Sequence, residues 1–391
     1  MKRALSSSTV FVPFVLAAFL ISFNGCAPPQ SMDDGDGAAE QDGQADDQPD
    51  DGTDGGTDGA DADGDAATGG QASTAVPTPP LGLPEVPIPD DNPMTAAKIE
   101  LGKLLYFDKR VSKDGTVSCA TCHDPLMAWA EDRKTSAGIV DAEGNPQVGH
   151  RNSPTVINTA YAKELFWDGR AASLEEQAVG PVGNPIEMGS SMQDVIHNFS
   201  KIPGYEERFQ EVFGTGVTEE GFAKAVAAFE RTILSGNSPY DKFQAGDKDA
   251  LDDQQQNGMQ IFMENCAVCH GPPIFSNWQY HNAGIGMDAE EPDVGRMEVT
   301  GNERDKGKFR VPHLREVAKT APYFHDGSAE TLEDAVAVMA SGGKKNDNLS
   351  RLFLGLQAQP LSADEQADVV AFLKTLSGEF PVIDPPTEFP Q

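Results

Sequence analysis

Apolar side chains follow three different patterns along the chain. A short apolar run from Val10 to Phe23 follows Lys2 and Arg3, and it is too short for a comfortable membrane span, so it indicates a secretory signal peptide over residues 1–26. Residues 30–78 hold almost no large apolar side chain. Beyond them the spacing becomes helical, as in Thr218–Leu234 and Ser362–Leu376, which both open on a capping residue and acids. Alternating strand patterns are scarce, so we predict an all-α folded region.

The segment over residues 27–79 is predicted to be a disordered acidic linker. It consists mainly of Asp, Gly, Ala, Gln and Pro, and it cannot bury enough apolar surface to offset its chain entropy. The whole chain carries a net charge of -33. Removing the 14 acids of the linker and the two bases of the signal from 62 and 29 leaves 48 acids against 27 bases. This balance argues against a nucleic-acid partner and permits a basic protein partner.

Asn24, Gly25 and Cys26 end the apolar run and resemble a bacterial lipobox. The resemblance implies that Cys26 is lipidated and anchors the protein, with Ala27 favouring the outer membrane. The alternative is an ordinary cleaved signal that leaves an unpaired thiol.

The other four cysteines form two identical patterns. Cys119 and Cys122 are followed by His123, and Cys266 and Cys269 are followed by His270. This C-x-x-C-H spacing allows two thioether bonds to one haem c while the histidine reaches the iron. A redox-active dithiol or a zinc site would be the alternative. About 147 residues separate the two motifs, so we predict two tandem cytochrome c-like domains, each with one haem, over residues 80–245 and 246–391.

Several ordered stretches resemble the bacterial di-haem cytochrome c peroxidase family over most of residues 94–378. They are Leu101–Asp108, the first haem motif, Arg151–Thr155, Phe166–Arg170, Leu174–Ala178, Asn184–Met188, the second haem motif, Asp293–Arg296, Phe309–Arg315 and Thr320–Gly327.

The resemblance assigns a different task to each haem. The N-terminal haem on His123 would bind hydrogen peroxide, with Gln177 and Glu187 as the distal groups and Glu187 moving the proton. Pro181 matches a proline that shapes the same pocket. The C-terminal haem on His270 would store an electron, with Met339 as its second ligand, because a thioether favours reduced iron.

Other matches concern the region between the two haems. Trp167 corresponds to a tryptophan that would relay the electron, and Asn152, Thr320 and Pro322 correspond to positions that hold calcium. His325 matches a histidine that orders the interface.

The sequence departs from the family on the loop after the first haem motif. Many members carry a second histidine there that closes the peroxidatic haem until the other haem is reduced. Here that place falls on Ile139 or Gly144, depending on the direction of alignment, and the only histidine of the loop is His150. We therefore predict an N-terminal haem that is already open when both irons are oxidised.

The resemblance implies a periplasmic enzyme that reduces hydrogen peroxide to water with electrons from a cytochrome c or cupredoxin, tethered through a lipid anchor only, and a possible homodimer. One alternative is a di-haem enzyme that oxidises a protein or organic partner, against which Met339 argues. The other is a non-enzymatic di-haem electron carrier.

Overall fold

The structure is a computed structural model that describes residues 75–391. The predicted signal peptide, Cys26 and residues 27–74 of the predicted linker lie outside the described residues. Within residues 75–391, every helix is too short or too polar to cross a membrane.

Helices dominate the described chain, as the apolar spacing predicts. Before residue 250 they are α1 (Ala96–Phe107), α2 (Cys119–Cys122), α3 (Leu174–Gly183), α4 (Met192–Phe199), α5 (Pro203–Phe213), α6 (Glu219–Glu230) and α7 (Pro239–Gln244). After it they are α8 (Asp253–Asn265), α9 (Ala267–His270), α10 (Arg296–Thr300), α11 (Leu332–Ala340), α12 (Leu354–Ala358) and α13 (Ala363–Lys374).

Four short strands in the described part of the chain form two antiparallel pairs. β1 (Ala137–Val140) pairs with β2 (Pro146–Val148), and β3 (Tyr280–His281) pairs with β4 (Phe309–Arg310). Each pair is too short to form a sheet layer of its own, so both pairs only order the loops that connect the helices.

The two amphipathic segments are helices that begin where their capping residues predict. Thr218 accepts a hydrogen bond from the backbone of Gly221 before α6, and Ser362 forms a capping box with Glu365 before α13. The first helix ends at Glu230, earlier than the apolar pattern indicates, because the Thr232 hydroxyl donates to the carbonyl of Phe229 and the chain turns away.

Two large apolar cores, beside two small clusters, organise the helices of residues 75–391. In the first, α1 and α6 pack together and the rings of Tyr106, Trp129 and Phe229 meet edge to face. In the second, α8 packs on α13 around Phe262 and Phe372. The boundary between residues 245 and 246 remains a prediction.

The two halves of the described chain are tied together by the C-terminal tail and a buried ion pair. Phe380, Ile383 and Phe389 pack on the first core, and the indole N–H of Trp129 donates to the carbonyl of Pro381 over 2.8 Å. The side chain of Arg315, which is fully buried, lies 2.8 Å from Asp241 of α7. The same guanidinium donates to the carbonyls of Gly82 and Pro273, so one side chain holds three segments that are remote in sequence.

Candidate functional site

The first haem motif forms the short helix α2 at the edge of the first core. The hydroxyl of Thr121 accepts a hydrogen bond from the backbone N–H of Ser118, which begins the helix, and the backbone N–H of His123 donates to the carbonyl of Cys119. Burial lowers the pKa of His123 to about 4, so its imidazole is neutral at physiological pH. Neutral imidazole is the form that binds a metal.

The second motif is built in the same way on α9. The Nδ1 atom of His270 lies 3.0 Å from the carbonyl oxygen of Phe275, and this hydrogen bond leaves Nε2 available for iron. Burial lowers the pKa of His270 to about 4 as well. The ring is therefore neutral and held in one orientation.

The thiols of both motifs lie in surroundings that do not activate them. Burial raises the pKa of Cys122 and of Cys266 to about 12, and it raises the pKa of Cys119 further. A redox-active dithiol needs a thiolate, so this environment does not fit such a site. Among residues 75–391 no three His, Cys, Asp or Glu side chains converge as a structural zinc site requires.

A large apolar cavity lies against the second motif. It measures about 280 Å³, and its lining includes Cys266, Cys269, His270 and Met339 of α11. Although the chain is rich in acids, no Asp or Glu of residues 75–391 lines the cavity. An apolar cavity with two thiols, a neutral imidazole and a thioether fits a covalently attached haem. The structure thus brings His270 and Met339 to the same space.

The distal groups that the resemblance names lie on α3 and on the turn that follows it. Gln177 is in α3, and Glu187 follows Pro181, which lies inside that helix. The amide of Asn184 donates to Glu187 Oε1 over 2.6 Å. Burial raises the pKa of Glu187, while Arg170 and Asn184 oppose the shift. The carboxyl group also acts electrostatically on the thiol of Cys122, so it lies near the first motif.

The loop after the first motif packs directly on this turn. Ile139 in β1 is buried, and its backbone N–H donates to the carbonyl of Glu187 over 2.8 Å. His150 is exposed. The place where a switching histidine is expected is thus an isoleucine held against the backbone of Glu187.

Trp167 lies between the two halves and lines the cavity of the second motif. Its indole N–H donates to the carbonyl of Asn152, and its own carbonyl accepts from the backbone N–H of Arg310, both over 2.8 Å. Asn152, Thr320 and Pro322, which the resemblance names for calcium, also line this cavity. His325 accepts through its carbonyl a hydrogen bond from the backbone N–H of Asn152, and its ring stacks on Phe309 at 3.6 Å.

Sequence reasoning missed several groups around these sites. Arg151 joins the halves, since it contacts Asp168 and Asp293 at 2.6 Å each, and these contacts raise the pKa of Arg151 against the effect of burial. Arg310 and His313 are buried on the cavity wall, and each has side-chain nitrogens without a hydrogen-bond partner among the described residues. Both belong to the matched stretch Phe309–Arg315, but only the folded chain shows that they face the cavity.

Comparisons with known proteins agree with this arrangement. Residues 96–249 match the family model of the di-haem cytochrome c peroxidases, and residues 255–377 match the cytochrome c model. The chain is 42% identical over 304 residues to the cytochrome c peroxidase Ccp of Escherichia coli (strain K12), a match that covers 76% of this chain and 62% of that protein. It is 40% identical over 302 residues to the cytochrome c551 peroxidase of Nitrosomonas europaea, covering 76% and 85%.

A solved structure shows the same fold. The crystal structure of a MauG-like protein associated with microbial copper homeostasis superposes with a TM-score of 0.69 at 31% identity, covering 78% of this chain and 96% of that one. The prediction of two cytochrome c-type domains in a mainly helical chain is confirmed, as is the family that the sequence motifs indicate. The chain carries two haem c sites and belongs to the di-haem cytochrome c peroxidase family.

Proposed function

We propose that this protein reduces hydrogen peroxide to water with electrons from a small redox protein, a cytochrome c or a cupredoxin. The observation that carries the proposal is the carboxyl group of Glu187, which is partly buried near the first motif and held by Asn184. The two haem groups supply an iron that binds peroxide at the first motif and an iron that stores an electron at the second.

Glu187 moves the proton in this proposal. Its carboxylate accepts a proton from one peroxide oxygen and returns it to the other as the O–O bond breaks. Asn184 keeps the carboxyl group in one orientation, and Gln177 on α3 contributes a second polar group to the same pocket. The backbone N–H of Ile139 donates to the carbonyl of Glu187 and so ties the loop to this turn.

The residues of the second site receive and pass the electron. His270 and Met339 would hold the second iron, and Trp167 would be the relay between the two sites. The hydrogen bonds from Trp167 to Asn152 and from Arg310 to Trp167 keep its ring in place between the halves. A half-buried ring that does not reorient lowers the cost of electron transfer.

Calcium, localisation and assembly complete the proposal. Asn152 would supply a side-chain oxygen to a calcium ion, and Thr320 and Pro322 would supply backbone carbonyl oxygens, the ligands that a hard cation prefers.

We place the protein in the periplasm, tethered to the outer membrane through lipidated Cys26. Association into homodimers is part of the same proposal.

Steady-state assays with reduced cytochrome c test the function and the open first site together. We expect immediate turnover of peroxide by the fully oxidised holoprotein, because Ile139 stands where a closing histidine would be and His150 is exposed. Turnover only after half-reduction would contradict the open site, and the His150→Ala variant would then show whether His150 closes it. Absence of turnover in both states would contradict peroxide reduction and favour oxidation of a protein partner or simple electron carriage.

Replacing Met339 by leucine tests the second iron ligand. We expect the midpoint potential of the C-terminal haem to fall and the thioether-to-iron charge-transfer band to disappear, because the thioether stabilises reduced iron. The control is Met263→Leu, which makes the same change at a methionine that packs on the second core. If both variants keep the potential and the band of the parent protein, Met339 is not a ligand.

A further inference from the structure

The cavity at the second motif contains two buried polar side chains, each with hydrogen-bonding atoms that lack a partner among the described residues. Arg310 is 7% exposed and His313 is 9% exposed. Nη1 of Arg310 is buried without a hydrogen bond. The ring nitrogens of His313 are buried without a hydrogen bond of normal geometry, and the backbone of Ile157 lies close enough to act on the ring. Both residues line the cavity that also contains His270. Leaving such groups unsatisfied costs about 1–3 kcal/mol each, and more for a charge, so their arrangement points to a missing partner.

The charge of that partner follows from the surroundings. Arg310 is a buried cation. Burial lowers the pKa of Arg310 to about 10, because no close counterion stabilises the charged form. The acidic side chain that acts on it, Glu164, is already engaged by Tyr280 and Arg296. Since no Asp or Glu lines the cavity, an anion must come from the group that the cavity holds.

The aromatic ring of Trp278 completes the cluster. The guanidinium of Arg310 lies 5.0 Å from the centre of that ring, and the ring of His313 lies 6.2 Å from it at a steep angle. Trp278 therefore fixes the orientation of both side chains without satisfying their hydrogen bonds. The planar guanidinium of Arg310 and a neutral imidazole N–H of His313, held in this way, suit a carboxylate as hydrogen-bond acceptor.

We propose that Arg310 and His313 bind the propionate carboxylates of the C-terminal haem. Arg310 also donates from Nε to the carbonyl of Phe166 over 3.1 Å and from its backbone N–H to the carbonyl of Trp167. One residue thus joins the haem carboxylate to the segment that carries Trp167. The carboxylate accepts hydrogen bonds from the guanidinium of Arg310, and Arg310 in turn orients the segment of Phe166 and Trp167 between the two haem sites.

The proposal depends on haem attachment at the second motif and not on peroxide reduction, so its test uses no turnover. Arg310→Gln and His313→Leu are each expected to shift the propionate bending bands in the resonance Raman spectrum of the holoprotein. Arg310→Gln should lower the midpoint potential of the C-terminal haem, because the loss of a cation stabilises the oxidised iron. His313→Leu should lower it less, because it removes a neutral donor that offsets part of the negative charge of the carboxylate. His313→Gln retains an N–H donor and should restore most of the parent values.

The matched control is His281→Leu. His281 lines the same cavity, but its ring already has a partner, since Nδ1 lies 3.2 Å from the hydroxyl of Ser350. The proposal would be overturned if Arg310→Gln and His313→Leu showed the same propionate bands and the same midpoint potential as His281→Leu. If Arg310→Gln does not accumulate as holoprotein, the comparison of His313→Leu with His313→Gln decides the question alone.

Discussion

Replacing Glu187 by glutamine is expected to lower kcat/KM for hydrogen peroxide by about 10²–10⁴-fold, the range that a positioned general acid–base group contributes. Glutamine keeps the size of the side chain and a hydrogen-bonding partner for Asn184, but it cannot accept and return the proton. The measurement is steady-state peroxide reduction with reduced cytochrome c. Electron transfer into the C-terminal haem, followed by stopped flow, should keep the parent rate.

The control for this change is Glu211→Gln, which removes an exposed carboxylate from α5 in the same half of the chain. Retention of full turnover by Glu187→Gln would show that this carboxyl group does not move the proton and would favour a di-haem electron carrier.

The pH profile gives a second, independent readout of the same carboxyl group. Burial raises the pKa of Glu187, so the carboxylate becomes protonated at a higher pH than an exposed glutamate. The form that accepts a proton from peroxide is the ionised one, so kcat/KM should fall as the pH decreases through this raised pKa. In the Glu187→Gln variant, this fall of kcat/KM at low pH should be absent.

Replacing Arg315 by methionine is expected to reduce the free energy of unfolding by about 3–5 kcal/mol, because the change leaves Asp241 as a buried charge without its partner. Both side chains of the pair are at most 1% exposed. The variant also loses the hydrogen bonds to the carbonyls of Gly82 and Pro273. Urea-induced unfolding followed by far-ultraviolet circular dichroism measures the effect.

The matched control is Lys374→Met, which breaks an ion pair with Glu333 whose side chains are 55% and 59% exposed. Exposed pairs contribute about 0–1 kcal/mol, so this variant should stay close to the parent protein. A loss of less than about 1 kcal/mol in Arg315→Met would mean that the tail and the helical cores hold the halves together without the buried pair.

Local chemistry was readable in the sequence wherever it depends on residues close together in the chain. Cys119, Cys122 and His123 lie within five positions, so their spacing alone specifies haem attachment. The beginnings of α6 and α13 follow from Thr218 and from Ser362 with Glu365 for the same reason. The roles of Glu187 and Met339 could be named only through resemblance, since a lone glutamate or a helical methionine is common in any protein.

Contacts between remote segments were not readable in this way. The packing of Ile139 on the backbone of Glu187 joins positions 48 residues apart, and Arg151 reaches Asp293 across 142 residues. The C-terminal tail returns to Trp129 across 252 residues. Periodicity describes which face of an element is apolar, but it does not say which distant element covers that face.

The sequence by itself determined that this chain attaches two haem groups, that its folded part is mainly helical, and to which family it belongs, because these properties depend on short motifs and local spacing. Only the tertiary structure decided that Met339 shares a cavity with His270, and that no acidic side chain of the described residues lines this cavity. It also decided that Arg310 and His313 line the cavity with side-chain nitrogens that lack partners. The physical reason is that the burial of a side chain and its hydrogen bonds depend on the residues that surround it. Those surroundings come from segments that meet only when the chain has folded.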